Sequence, residues 1–241
     1  MTTSLLVVIA FIALLASTVK SAFGFGEGLV NMAFLGFFLP LSMCGPYVSI
    51  ISVSGSCYIV FREWKKLELK NIGMMIFGSL LFVPLGIYLT TVIDARLMKC
   101  FLGIFICAFS IFGIVNPTLG QLKGNRLGIM FGGMGGLFAG MYNIPGPPVA
   151  IYGTMKNWPS EIFRLNLQAY FACTSSIVLG GHILRGNLNN TVLWMSLFAL
   201  PAVITGILIG KKINSKLTNP VIFKKIIYAV LSVVGLVMAL S

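Results

Sequence analysis

The sequence predicts an all-α polytopic membrane protein made of two inverted repeats of about five helical segments each, with a broken or re-entrant first helix in each repeat. Three observations predict it. Hydrophobic residues fill 58% of the 241 positions and charged ones only 9%, where a soluble domain carries about a quarter charged residues. That little charge cannot cover a surface facing water. Turn motifs and prolines recur half a chain apart, and basic residues gather in the loops of one side.

Apolar segments cover residues 4–22, 28–41, 46–61, 71–92 and 97–115, and the polar stretch NPTLGQLKGNR at 116–126 ends the series. A second series covers 127–142, 147–155, 161–183, 190–210 and 219–240. The expected organisation is a first transmembrane repeat at 1–116, a cytoplasmic linker at 117–126 and a second, inverted transmembrane repeat at 127–241. The first segment has no basic residue before its apolar core, which a cleavable secretory leader requires. Residues 4–22 are therefore expected to belong to the membrane body. A full crossing takes ~20 residues, so 28–41 and 147–155 are short. They read either as spans or as the returning arms of hairpins that stop near the bilayer centre.

The two series share landmarks. Each first segment is broken by a turn motif, GFGEG at 24–28 and NIPGPP at 143–148, and each fourth segment carries a proline, Pro84 and Pro201. Gly28 with Gly146, and Pro84 with Pro201, lie about half a chain apart, which marks an internal repeat. Gly132, Gly136 and Gly140 form a small-xxx-small pattern that predicts a close helix crossing.

Loop charge orients the chain. If each repeat makes an odd number of crossings, thirteen Lys and Arg side chains fall on one side, including Arg62, Lys65, Lys66 and Lys211, against Arg96, Lys99 and Arg185 on the other. Four crossings per repeat would divide them nine to seven. Basic loops stay in the cytoplasm, so the odd arrangement is expected, with both termini outside a bacterial inner (plasma) membrane. An odd repeat turns the second half upside down, an architecture of many secondary transporters. The net charge of +12 then reflects loops that also meet anionic membrane lipid, not a nucleic-acid surface.

Other chemistries lack their residues. Cys44, Cys57, Cys100, Cys107 and Cys173 form no CxxC pair and read as small hydrophobes. With His182 as the single histidine, no metal site and no cofactor is expected. The converging nucleophile, base and oxyanion groups of an enzyme are missing as well.

The two tips carry the expected site. Irregular backbone cannot face lipid, because its N–H and C=O groups would be unpaired, but it can line a cavity. Three glycines in GFGEG permit a sharp turn and a close approach to a ligand, and the prolines of NIPGPP suit a helix start. Two helix N-termini facing each other would offer amides and dipoles to an anion. The candidate substrate-binding residues are Gly26, Glu27 and Gly28 at the first tip and Asn143, Pro145 and Gly146 at the second. Glu27 is the one acid expected deep in the membrane. It reads as a helix cap, as a partner of Lys20, or as a candidate to take and release a coupling proton. Lys20 would supply charge to the anion, pair with Glu27, or reach out to the interface. Arg164 offers a fork for a sulfonate or carboxylate, or is a basic anchor. Asn166 and Gln168 lie on different helix faces, so one of them points inward. Ser49, Ser52 and Ser56 share a face, as anion donors or as small packing residues.

The tip motifs, together with SEIFRLNLQAYF at 160–171 and GILIGKKI at 206–213, resemble the sulfite exporter TauE/SafE family over nearly the whole chain. PGPPVAIY followed by FRLN is the most specific part. Glu27 departs from the family's usual small residue at the first tip and changes the size and charge of the pocket. The resemblance implies a bacterial permease for sulfite, sulfonates or other small sulfur-containing or organic anions, and makes a homodimer reasonable. Function is accordingly expected to be secondary transport of a small anion by alternating access, with Glu27 the candidate for any proton coupling. An uncoupled anion channel and a non-transporting membrane subunit are the alternatives.

Overall fold

A computed structural model describes residues 3–115 and 120–216, and within the last segment residues 228–229, 231–233, 235–237 and 239–240. The described regular elements are helical: α1 (Thr3–Phe23), α2 (Glu27–Leu35), α3 (Leu41–Glu63), α4 (Leu69–Val92), α5 (Ala95–Val115), α6 (Gly128–Tyr142), α7 (Gly146–Met155), α8 (Ser160–Leu184) and α9 (Asn190–Lys216). A single 3-10 turn at Trp64–Lys66 extends α3. Six of these helices, α1, α3, α4, α5, α8 and α9, are long and apolar enough to cross a membrane, so the chain is a multi-pass membrane protein. At ~1.5 Å per residue, the 9 residues of α2 and the 10 of α7 span no more than about half of a bilayer core. The sequence segment 28–41 is less helical than expected: α2 stops at Leu35, and Pro40 caps α3 in an extended conformation. A residue before proline is pushed out of the helical region, so the chain must turn before Leu41. The segment 219–240 lies partly outside the described residues.

Both broken helices end in the same way. The Gly24 amide donates to the Lys20 carbonyl at 2.7 Å, with φ of 87° at Gly24. At the second break Asn143 has φ of 55° and donates to the Ala139 carbonyl at 2.7 Å. Such left-handed residues terminate helices by bonding free carbonyls, and glycine or asparagine adopts them at least cost. In each case a new helix begins three residues later, at Glu27 and at Gly146.

Glycines set the main helix crossings. A Cβ on Gly132 would stand 2.1 Å from the Met75 carbonyl oxygen, one on Gly136 2.7 Å from Ser79 Cα, and one on Gly140 2.3 Å from the Val83 carbonyl oxygen. The expected small-residue crossing is therefore real, and α4 is its partner. Because these contacts advance together, α4 and α6 run parallel. α1 and α9 repeat the arrangement: Gly206 abuts the Leu14 carbonyl and Gly210 the Thr18 carbonyl, and the Asn214 amide donates to the Ala22 carbonyl at 2.6 Å. α3 and α8 instead run antiparallel, with Gly45 against His182 at one end and Glu63 against Arg164 at the other. Apolar side chains such as Phe77 and Leu81 of α4, Phe101 and Ile104 of α5 and Trp194 of α9 remain exposed. They form the outer surface that a bilayer would cover.

One end of the bundle collects the basic loops. Lys66 pairs with Glu161 at 2.5 Å, Lys156 donates to the Gly124 carbonyl at 3.1 Å, and Asn125 donates to the Lys70 carbonyl at 3.2 Å. The loops after α3, before α6 and after α7 therefore share that end with the last turn of α9. Arg185 lies at the opposite end, where it donates to the Ile87 carbonyl near the end of α4. Lys224 and Lys225 lie outside the described residues.

Candidate anion site between the two helix breaks

The first tip descends from α1 and the second rises with α6, and the two meet in the interior. A Cβ on Gly28 would sit 2.3 Å from the Asn143 carbonyl oxygen, so backbone touches backbone. Gly28 is thus bare because the other tip approaches it, not because a ligand does. The turn itself uses Gly24 and Gly26, whose φ values are 87° and 103°; Glu27 is already the first residue of α2. A cavity of about 20 Å³ lies beside this contact, lined by Gly26–Leu29, Asn143–Pro147, Ser52 and Phe171. Ser52 and Phe171 each occupy the middle of their helix, so the cavity is at mid-depth. It has room for about one water, and the site is closed in this conformation.

The structure brings six of the expected residues, Gly26, Glu27, Gly28, Asn143, Pro145 and Gly146, around this one cavity. Lys20 stands directly behind Glu27. Its ammonium meets Glu27 Oε2 at 2.6 Å and donates to the Ser52 carbonyl at 3.2 Å, while Ser17 Oγ donates to Glu27 Oε1 at 3.4 Å. Lys20 is 0% and Glu27 4% exposed, so Lys20 does not reach for the interface. A carboxylate in the first turn of α2 is also favoured by the helix dipole. Of the readings left open by the sequence, pairing describes the resting geometry.

The two helix starts are unequal as anion donors. The first four amides of a helix have no partner within it, and α2 keeps all of its own. α7 opens Gly146-Pro147-Pro148 after Pro145, and proline has no N–H. The second tip therefore has fewer free amides than the first, and the Asn143 side chain stands beside its helix start. Asn143 Oδ1 accepts from Ser175 Oγ at 3.3 Å, and Ser175 Oγ also lies 3.1 Å from Ser52 Oγ. Asn143 Nδ2, although buried, has no hydrogen-bond partner. A buried donor left unpaired costs about 1–3 kcal/mol, and this one belongs to the cavity wall.

Arg164 and Asn166 are not at the cavity. Arg164 Nη2 pairs with Glu63 Oε2, and Lys211 Nζ with Glu63 Oε1 at 3.1 Å. These groups line a separate vestibule of about 700 Å³ at the basic end, with Arg62, Lys65, Lys66 and Glu161. Its floor touches the first tip: a Cβ on Gly24 would lie 3.1 Å from Arg164 Cα. Asn166 is buried with both amide atoms unpartnered. Gln168 is equally buried, so both residues point inward and not one; it donates to the Gly24 carbonyl at 2.7 Å while its Oε1 accepts from Ser56 Oγ at 3.2 Å. Ser49 donates to the Pro46 carbonyl at 2.7 Å and takes no part in the site.

Sequence reasoning missed Ser17, Tyr47 and Ser175 at the site and Glu63 at the vestibule. Ser17 lies within an apolar run, and only the fold brings it to Glu27. Tyr47 is fully buried with its hydroxyl unpartnered, a signal visible only in three dimensions.

Comparison with known proteins agrees with this architecture. The chain is 23% identical over 219 residues to a protein of Cupriavidus necator named as a probable sulfite/organosulfonate exporter TauE, covering 88% of this chain and 85% of that one. No solved structure matches the chain significantly. The sulfite exporter TauE/SafE family matches residues 9–238, a span that contains both helix breaks, most of α1 and the other five long apolar helices, and the chain belongs to that family of exporters, which are transporters and not enzymes.

Proposed function

We propose that this chain is a secondary transporter, a permease, for a small oxyanion of the sulfite or sulfonate kind, working by alternating access in a bacterial inner membrane. The observation that carries the reading is the meeting of two helix breaks at mid-depth around Asn143 Nδ2, an unpaired buried donor, with the Lys20 ammonium one layer behind. Helix starts, a free amide and a buried cation are the groups that replace the water around an anion. The name of the Cupriavidus necator relative supplies the substrate class.

Parallel pairing of α1 with α9 and of α4 with α6, with α3 antiparallel to α8, is the pattern two inverted repeats produce about an axis in the membrane plane. It supports a rocking motion of one half against the other around the tips. A cavity of about 20 Å³ supports a carrier with a closed state over an open channel. The concentration of basic loops at one end supports a cytoplasmic vestibule and outside termini. Glu27, lining the cavity and bound to Lys20, is the residue through which a coupling proton would act.

Counterflow tests the reading. Purified protein in liposomes preloaded with unlabelled methanesulfonate is expected to accumulate labelled methanesulfonate transiently, and Asn143→Leu to reduce the initial rate by about tenfold, the loss of one charge-assisted hydrogen bond. Large unitary currents in place of counterflow would exclude a carrier.

A further inference from the structure

The Lys20–Glu27 pair stands in an order that constrains how an anion is taken up. Glu27 and Ser52 line the cavity and Lys20 does not; the ammonium sits behind them, bonded to the Glu27 carboxylate and the Ser52 carbonyl. Among the described residues these two are the buried charged side chains, and their charges cancel. Gly55 leaves room for them: a Cβ there would stand 3.3 Å from Lys20 Nζ and 3.6 Å from Glu27 Oε1. Tyr47 and Cys57 of α3 are the other titratable side chains close enough to act on the pair. α1 presents Ser17, the second tip Asn143 and the prolines, α8 Ser175 and Phe171, and α9 Ile207. None of these adds a charge.

The charge count then decides between modes of uptake. A monoanion entering beside the intact pair would leave one uncompensated negative charge in a desolvated interior, next to a carboxylate. Buried charge without a partner is strongly disfavoured. Adding one proton to Glu27 removes the repulsion and the excess together. The proton, delivered from the aqueous side, forms an O–H bond on the carboxyl group. Lys20 keeps all its protons, and the anion takes the acceptor position that Glu27 leaves.

We infer that the Lys20 ammonium holds one anion at a time, the Glu27 carboxylate or the substrate, so that a monoanion binds only together with a proton on Glu27 and its transport is electroneutral. This rests on the transport reading above and adds the stoichiometry: one proton per monoanion, moving the same way. The empty and loaded sites carry the same net charge, so membrane voltage has no purchase on either.

Proteoliposomes and labelled methanesulfonate test it, because a sulfonate stays a monoanion across the accessible pH range and any response to pH belongs to the protein. Final accumulation is measured under an imposed pH difference and, separately, under a potassium diffusion potential set with valinomycin. The wild-type chain is expected to accumulate label about tenfold per pH unit on the alkaline side and to ignore voltage. A carrier moving one net charge would instead show a ratio of about fifty-fold for about 100 mV. Glu27→Gln, which leaves Lys20 permanently available, is expected to lose the pH response and to follow voltage. Wild-type accumulation that follows voltage and not pH overturns the coupling and leaves the transport reading standing. Accumulation under neither gradient overturns both. A pH response that survives in folded Glu27→Gln removes Glu27 as the proton carrier. If that variant does not fold, the two wild-type arms still decide the stoichiometry.

Discussion

Lys20 and Glu27 are seven residues apart, which on an uninterrupted helix would leave their backbones about two turns, or ~10 Å, apart. The left-handed backbone of Gly24 and Gly26 folds the chain back and closes the pair to 2.6 Å. A pair this deep has a characteristic energetic signature: removing one member leaves the other buried alone, at about 3–5 kcal/mol, while replacing both with apolar groups is often close to neutral. Lys20→Met is therefore expected to lower the thermal unfolding midpoint in detergent markedly, and Lys20→Met with Glu27→Leu to recover most of the loss. A double variant no more stable than Lys20→Met would show that the two side chains do not act as a unit. The pairing was one of three readings the sequence left open for Glu27, because spacing alone does not say where a broken helix puts its next residue. Arg164 was less legible. Its partner Glu63 lies 101 residues away, and nothing local in FRLN distinguishes a ligand-holding fork from one held by a distant carboxylate.

Helix elements meet here through bare backbone. In a membrane, close packing and not water exclusion holds helices together: glycines of α9 meet carbonyls of α1, and in the α4–α6 crossing both partners use glycines, Gly78 and Gly86 of α4 meeting the Ile129 and Leu137 carbonyls in turn. Gly136 faces Ser79 backbone and side-chain atoms at 2.7–3.0 Å, so there is no flexible chain end to move aside. Gly136→Val is expected to separate α4 from α6 and destabilise the protein by about 1–3 kcal/mol or more, read as a lower unfolding midpoint and a loss of monodisperse protein. Gly180, where an added Cβ meets nothing, is the control: Gly180→Ala is expected to be neutral. The α6 glycines were legible in advance because their four-residue spacing is itself a packing signal. Their partner α4 was not, although its Gly78 and Gly86, eight residues apart, are the small positions that meet α6. The short arms α2 and α7 were legible for a different reason, because glycine and proline mark where a helix must stop. The end of α2 at Leu35 was misread, because Phe37, Phe38 and Leu39 continue an apolar run that is a turn.

For the molecule as a whole, charge distribution predicts topology. The loops that carry Lys65, Lys66, Lys123 and Lys156 share one end, and α8 ends at the other. In a cysteine-free background expressed in intact bacteria, Leu184→Cys is expected to react with a membrane-impermeant maleimide and Lys65→Cys to react only after permeabilisation. The reverse result would place the basic end outside. Fold class was readable from composition and periodicity, because a bilayer imposes it on every stretch of chain. The depth at which the tips meet was not, since it depends on how far each hairpin penetrates between its neighbours.

The basin at the basic end changes the electrical thickness of the protein. Its 700 Å³ bring high-dielectric solvent down to Arg164, whose backbone touches the Gly24 turn. An applied field falls where the material is insulating, so most of the drop lies on the far side of the tips, along the upper reaches of α3 and α8. A charge passing between the basin and the tips therefore crosses about a third of the membrane field, the ~10 Å of α8 from Arg164 to Phe171.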